Sequence, residues 1–285
     1  MIAIDRLSFT YPGAPRRAVD DVSATIETGS IFGLLGPSGA GKSTIQNILI
    51  KLLPVQDGSV QFDGQDLTAL GRDFFADVGV SFEHPNLFPK LTGLENLTAF
   101  AGLYDRDLRD AAALLDAVGL AEAKHKAAGD YSKGMKQRLV FARSLLHQPR
   151  FLFLDEPTSG LDPATQEVII ELIRAERDRG ATILLTTHNM RVADTLCDRI
   201  GLLNDGQLAA LDSPRNLKLA HGEHAVRVER RQDGALVTET LFPEQDADRA
   251  RLAALVSAGD YETLHTAEAT LNDVFIKVTG RELAA

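Results

Sequence analysis

Gly36-Pro37-Ser38-Gly39-Ala40-Gly41-Lys42-Ser43-Thr44 joins glycines, a lysine and consecutive hydroxyls in one short stretch. Glycines open backbone conformations closed to residues with a Cβ, so successive N–H groups turn inward as an anion nest. A helix starting there adds the positive end of its dipole. Lys42 would neutralise the β and γ phosphates of a nucleoside triphosphate, and Ser43 would ligate Mg²⁺. Such a pattern arises by chance in about 1% of chains this long. Taken alone, it says only that a nucleotide binds.

Hydrolysis needs more groups. Asp155 closes the apolar run Phe151-Leu152-Phe153-Leu154 and is the natural metal-side acid. Adjacent Glu156 is the natural water-activating carboxylate. Without the glycine loop, this pair would read as a solvated strand end. His188, after Thr186-Thr187, is placed to hydrogen-bond a γ-phosphate, although a lone strand-end histidine is more often structural. Tyr11 offers an aromatic face for a purine, or is an ordinary half-buried tyrosine. Tyr131-Ser132-Lys133-Gly134-Met135-Lys136-Gln137-Arg138 opens a helix with a serine cap, a glycine and basic residues. That is a second anion site, or simply a well-capped helix with a basic surface.

The positioning elements follow from pattern. Residues 2–9 and 19–27 read as short strands, and 31–35 as the buried strand before the loop. The helix after the loop carries apolar periodicity from Ile45 to Leu53. A turn at Asp57-Gly58-Ser59 leads to a strand at 60–62, Asp63-Gly64 reverses the chain, and 78–82 is another buried strand. Two prolines make 83–89 a loop. From 91 to 148 the pattern is helical, with helices opening at Thr92, spanning 106–118 and opening at Ser132. Beyond it come a strand at 151–154, a helix over 163–178, a strand at 182–186, a short helix to Cys197 and a hairpin over 200–211. Past Ser213-Pro214 the texture changes. A hairpin through Asp233-Gly234, a helix over 246–257, a strand at 261–265 and a helix over 271–278 are expected there.

Composition narrows the class. With 44% hydrophobic and 25% charged residues, the 285-residue chain reads as an ordinary water-soluble protein with room for a large core. No apolar run approaches the length of a membrane span, and the N-terminus lacks signal-peptide character. A net charge of −10 argues against a nucleic-acid partner, and residues 221–285, with 7 basic and 12 acidic side chains, form no basic arm. The single cysteine, Cys197, reads as an inert packed thiol in a reducing compartment.

The ordered set of motifs resembles the ATP-binding subunit of ABC transporters over residues 1 to about 215. Gly36 to Thr44 is similar to the Walker A loop, Phe151 to Glu156 to the Walker B strand, and Ser159-Gly160-Leu161-Asp162 to the D-loop. His188 falls at the switch histidine and Tyr11 at the adenine-stacking position. Tyr131 to Met135 falls at the signature. The resemblance implies an α/β P-loop NTPase cassette over 1–219. It would have a β-rich N-terminal lead-in, a helical subdomain at about 84–149, and a small α+β accessory domain over 220–285.

It also implies ATP and Mg²⁺ held between two copies arranged head to tail. Each site would combine Gly36 to Thr44 of one copy with Ser132 and Gly134 of the other. Glu83 falls where this family usually has glutamine, and its carboxylate would approach Mg²⁺ beside Ser43 and Asp155. Lys133 and Met135, with the ending Thr270 to Phe275, resemble the drug- and lipid-exporting subgroup. The expectation is an ATPase, with Lys42, Glu156 and His188 catalytic. It would sit at the cytoplasmic face of the cell membrane, dock around Glu83 to Leu91 on a separately encoded transmembrane permease, and drive export. An importer ATPase and a soluble non-transport ABC ATPase remain alternatives.

Overall fold

Ile31–Leu35, the strand feeding the glycine loop, is buried along its whole length and paired at both edges. The computed structural model describes residues 1–221, 225–232, 234–267 and 269–280. They form two compact units that divide between Ser213 and Pro214.

In the first unit, β1 (Ile2–Phe9) pairs antiparallel with β2 (Val19–Ile26) on one side and with β4 (Asp57–Phe62) on the other, and β5 (Gln65–Asp66) closes that sheet. The central sheet runs β10-β9-β3-β8-β7-β6. Its strands are β3 (Ile31–Leu35), β6 (Val78–Ser81), β7 (Phe151–Asp155), β8 (Thr182–Thr187), β9 (Arg199–Asn204) and β10 (Gln207–Asp212). All neighbours are parallel except the β9–β10 hairpin. Consequently β3, β6, β7 and β8 end at one edge, the position where open α/β sheets bind ligands. The two sheets share a core in which Phe62 meets Phe74 and Phe151 edge-on, at centroid distances of 4.8 and 4.9 Å.

The helices of this unit are α1 (Lys42–Leu49), α2 (Gly93–Ala101), α3 (Ala111–Ala117), α4 (Lys133–Leu145), α5 (Pro163–Asp178) and α6 (Met190–Leu196). Capping fixes several starts. Thr92 and Glu95 form a reciprocal capping box, and the side chains of Ser132, Asp162 and Asn189 cap α4, α5 and α6.

Some elements differ from the sequence pattern. The helix after the loop ends at Leu49 rather than continuing to Leu53, because Lys51 turns left-handed at φ 61° and the amides of Leu52 and Leu53 both return to the Asn47 carbonyl. The helix expected over 106–118 begins only at Ala111. Asp110 caps it, while the Arg109 amide donates to the Leu146 carbonyl at 2.9 Å and the Arg109 side chain to buried Glu176 at 3.0 Å. These tertiary bonds hold the preceding segment out of the helix. Short 3₁₀ turns at 121–123 and 128–130 break the rest of the region.

The second unit contains α7 (Pro214–His221), β11 (Ala225–Gln232), β12 (Ala235–Leu241), α8 (Asp246–Ala258), β13 (Thr263–Ala267) and α9 (Leu271–Thr279). Its antiparallel sheet, ordered β12-β11-β13, contributes Val228 and Leu241 to a small core with Leu255 of α8. Helix α7 was not expected. Pro214 suits a first helical turn, and this helix packs on α9, so the division falls before it rather than at 219/220. The last strand lies at 263–267 instead of 261–265, in register with β11. Asp233 of the expected Asp233-Gly234 turn lies outside the described residues.

Candidate functional site

The glycine loop leaves β3 and enters α1 with Gly41 at the N-cap, in the left-handed region at φ 110° and without a side-chain cap. The first N–H groups of a helix have no intrahelical acceptor, so this turn offers free donors to a ligand. The backbone course demands glycine for space as well as for angle. A Cβ on Gly36 would lie 2.2 Å from the Leu203 carbonyl oxygen, and one on Gly41 2.4 Å from that of Ala18.

A cavity of about 330 Å³ opens above the loop. Ser38, Gly39, Gly41, Lys42, Ser43 and Thr44 line its floor. Tyr11, Glu83, Asp155, Glu156 and His188 form its walls. Gly36, Pro37 and Ala40 shape the loop without lining the cavity. The Lys42 ammonium donates to the carbonyls of Gly36 at 2.6 Å and Pro37 at 3.0 Å. Burial pushes the Lys42 pKa down, against the opposing pull of Glu156, Asp155 and Glu83. The Tyr11 hydroxyl lies 3.2 Å from Thr44 Oγ1, and its ring packs edge-on against Phe9 while remaining partly exposed.

Asp155 and Glu156 are neighbours in the chain with separate partners. Asp155 accepts from Thr186 Oγ1 and, at 3.5 Å, from Ser43 Oγ. Burial raises its pKa, and the Thr186 bond opposes that shift. Glu156 has φ 49°, and its carboxylate accepts from Thr187 Oγ1 at 3.0 Å and from the His188 amide at 2.8 Å. His188 Nδ1 sits 2.7 Å from the same carboxylate. An ionised carboxylate only accepts, so Nδ1 carries the proton in this pair. Thr186 and Thr187 are fully buried, and their hydroxyls hold the two acids in place. In the sequence these threonines stand out only as neighbours of His188, and no pattern marks Ala18, which also lines the cavity.

Ser132 and Gly134 are not among the lining residues. Ser132 is exposed, and its Oγ accepts from the Met135 amide at 3.2 Å. A Cβ on Gly134 would lie 3.1 Å from a methyl of Leu161 and 3.5 Å from the Gly160 carbonyl, so the signature segment lies beside the D-loop.

A second, more apolar cavity of about 220 Å³ lies against α4, lined by Leu52, Phe75, Phe82, Asn86, Phe100 and Arg143 among others. Glu83 belongs to the first cavity and Asn86 to the second, so one short loop joins them. His147, buried beside this groove, stacks on Tyr104 at 4.1 Å and hydrogen-bonds the Val78 carbonyl at 2.9 Å. Burial lowers its pKa to about 4. Cys197 is buried, its thiol pKa is pushed up by desolvation, and no disulfide involves it.

A buried parallel strand, an uncapped glycine turn and two strand-end acids around one cavity define a P-loop nucleoside triphosphatase. Known proteins carry the assignment further. The family model described as ABC transporter matches residues 19–159. The chain is 48% identical over 284 residues to a fluoroquinolones export ATP-binding protein of Mycobacterium tuberculosis (strain ATCC 25618 / H37Rv), covering 99% of this chain and 94% of that one. It is 35% identical over 307 residues to the Nod factor export ATP-binding protein I of Sinorhizobium fredii (strain NBRC 101917 / NGR234), covering 99% and 87%. Among solved structures, a dimeric ATP-binding cassette in a post-hydrolysis state, bound to ADP and Pi, superposes with a TM-score of 0.68. It is 28% identical and covers 75% of this chain and 98% of that one. The chain belongs to the ABC transporter family, as its ATP-binding, ATP-hydrolysing cassette.

Proposed function

We propose that this chain is the motor subunit of an exporter, binding and hydrolysing ATP to move a small molecule, drug or lipid through a separate transmembrane subunit. The observation that carries the reading is a hydrolytic cavity joined by the Glu83–Asn86 loop to an exposed apolar groove. No helix among the described residues is long and apolar enough to cross a membrane. The names of the relatives, which match nearly the full chain, favour export over import.

In this reading the orphan N–H groups of α1 and the Lys42 ammonium hold the β and γ phosphates, and Tyr11 packs on the adenine. Ser43, Asp155 and Glu83 supply hard oxygen donors in one cavity, a set that suits Mg²⁺. When bound, Mg²⁺ neutralises charge on the phosphates. Glu156 takes the proton of the attacking water, while His188 fixes that carboxylate through Nδ1 and, when protonated at Nε2, donates to the γ-phosphate. Ser132 and Gly134 of a second copy complete the site. That neither residue lines this cavity, and that the solved cassette is dimeric, support that arrangement. Residues 1–213 act as the cassette, with about 84–149 as its helical subdomain, and 214–285 as an accessory domain. The complex sits at the inner face of the cell membrane, and no nucleic acid takes part.

The test is purification of the chain from detergent-solubilised native membranes. An integral membrane protein recovered in fixed ratio, whose presence raises ATPase activity, is the expected result. Recovery of the chain without one overturns the transport reading.

A further inference from the structure

Three carboxyl groups and one ammonium line the glycine-loop cavity, and the three acids are held differently. Asp155 is bonded by Thr186 and Ser43, and Glu156 by Thr187 and His188. Both are buried. Glu83 is exposed on the loop after β6, and among the described residues its carboxylate has no hydrogen bond and no ion pair. Its charge nevertheless reaches the groups a ligand would meet, favouring the protonated form of Lys42 and disfavouring the ionised form of Asp155. The Lys42 ammonium is itself engaged with the carbonyls of Gly36 and Pro37.

An acid placed in this way has an effect whose sign depends on the ligand. Facing a bare triphosphate, an unpartnered carboxylate repels it, and between unit charges a few ångströms apart near a protein surface that repulsion is enough to change affinity about tenfold or more. Facing a triphosphate that carries a divalent cation, the same carboxylate is a hard oxygen donor and attracts. Asp155 and Glu156 do this less, because hydrogen bonds already offset part of their charge. A neutral amide at position 83 would accept without repelling, and so would not tell the two forms of the ligand apart.

We propose that Glu83 is a specificity-determining residue, selecting ATP as its divalent-metal complex and keeping the metal-free nucleotide out. The proposal rests on the reading above that the metal lies among Ser43, Asp155 and Glu83, and it adds a role for Glu83 against the wrong form of the ligand.

The experiment measures equilibrium binding to the purified full chain by calorimetry, with excess Mg²⁺ and again with a chelator. The probe is the β,γ-imido analogue of ATP, which is not hydrolysed. Wild type should bind the magnesium complex at least about 100-fold more tightly than the free analogue, and Glu83→Gln should cut that ratio by about tenfold or more, chiefly by tightening the metal-free complex. Glu83→Asp keeps the charge and should keep most of the ratio. Added salt should shrink the wild-type discrimination more than that of Glu83→Gln, because it screens an exposed charge. Since Glu83 is exposed and unpartnered, both variants should melt with the wild type.

Ser43→Ala separates the proposal from the reading beneath it, since it should weaken the magnesium complex and leave metal-free binding unchanged. If it does so while Glu83→Gln keeps the wild-type ratio, the proposal is overturned and the metal site stands. A ratio lowered in Glu83→Gln only through weaker binding of the magnesium complex makes Glu83 an ordinary metal ligand and overturns the proposal too. If neither substitution moves the ratio, the metal-side reading falls with it.

Discussion

Helices α1 and α4 both start at glycine-containing, lysine-bearing segments, yet their N-termini are built for opposite conditions. The start of α1 has no capping side chain, is overhung by two strand-end acids and a histidine, and opens into a formed cavity. The start of α4 is capped by its own Ser132, faces solvent, and belongs to neither cavity described above. The first turn is committed to a ligand by its unsatisfied donors. The second is satisfied by its own cap, and in the proposed function it meets a nucleotide only when another copy brings one. The difference is what the proposed dimer requires: one chain would hold the two halves of a hydrolytic site apart.

That comparison can be tested by unequal damage to the two helix starts. The largest effect is expected at Glu156, which serves only the first. Glu156→Gln should reduce steady-state hydrolysis by about 10²–10⁴-fold. It should retain ATP binding and accumulate as an ATP-bound dimer on gel filtration. Next comes Gly134→Asp, which puts a carboxylate at the second start. Turnover should fall roughly 100-fold, while equilibrium ATP binding to the monomer stays unchanged. Mixing it with a Lys42→Ala chain should recover part of the activity, since one of the two composite sites is then intact. Failure of the mixture to recover would break the two-half description.

A pH effect separates damage to the sites from damage to the scaffold. His147 follows α4, far along the chain from its Ser132 start, and its folded pKa is lowered to about 4 from an ordinary 6.5. Between those values the unfolded chain binds the extra proton. Stability is therefore full above pH 6.5 and falls as the pH drops towards 4, by at most about 3 kcal/mol. Chemical denaturation across that range should show this slope, and His147→Leu should flatten it. The smallest effect is expected from Ser132→Ala. It should cost only about 1 kcal/mol in thermal unfolding through loss of the cap, with a disproportionate loss of turnover if the hydroxyl also meets a nucleotide.

Much of the cassette is legible in the sequence. The strand, glycine loop and helix at 31–49 declare themselves because glycine placement and apolar runs are local signals. Asp155, Glu156 and His188 were legible as strand-end residues, and Thr92 and Ser132 as caps. Other features were not. The late start of α3 depends on Arg109 bonding to Leu146 and Glu176, and the end of α1 on the left-handed turn at Lys51. Helix α7 was hidden behind Pro214, which reads equally well as a break or as a first turn.

The sequence by itself determined the class of chemistry, since phosphate binding is encoded in consecutive residues whose backbone freedom and charge need no distant partner. Tertiary structure alone decided how the acids are used. Thr186 holds Asp155 near Ser43, while Thr187 and His188 hold Glu156. It also decided that Glu83 lines the same cavity without a bonding partner among the described residues. Hydrogen-bond partners and burial depend on which strands and helices become neighbours, and residue spacing along one chain does not carry that information.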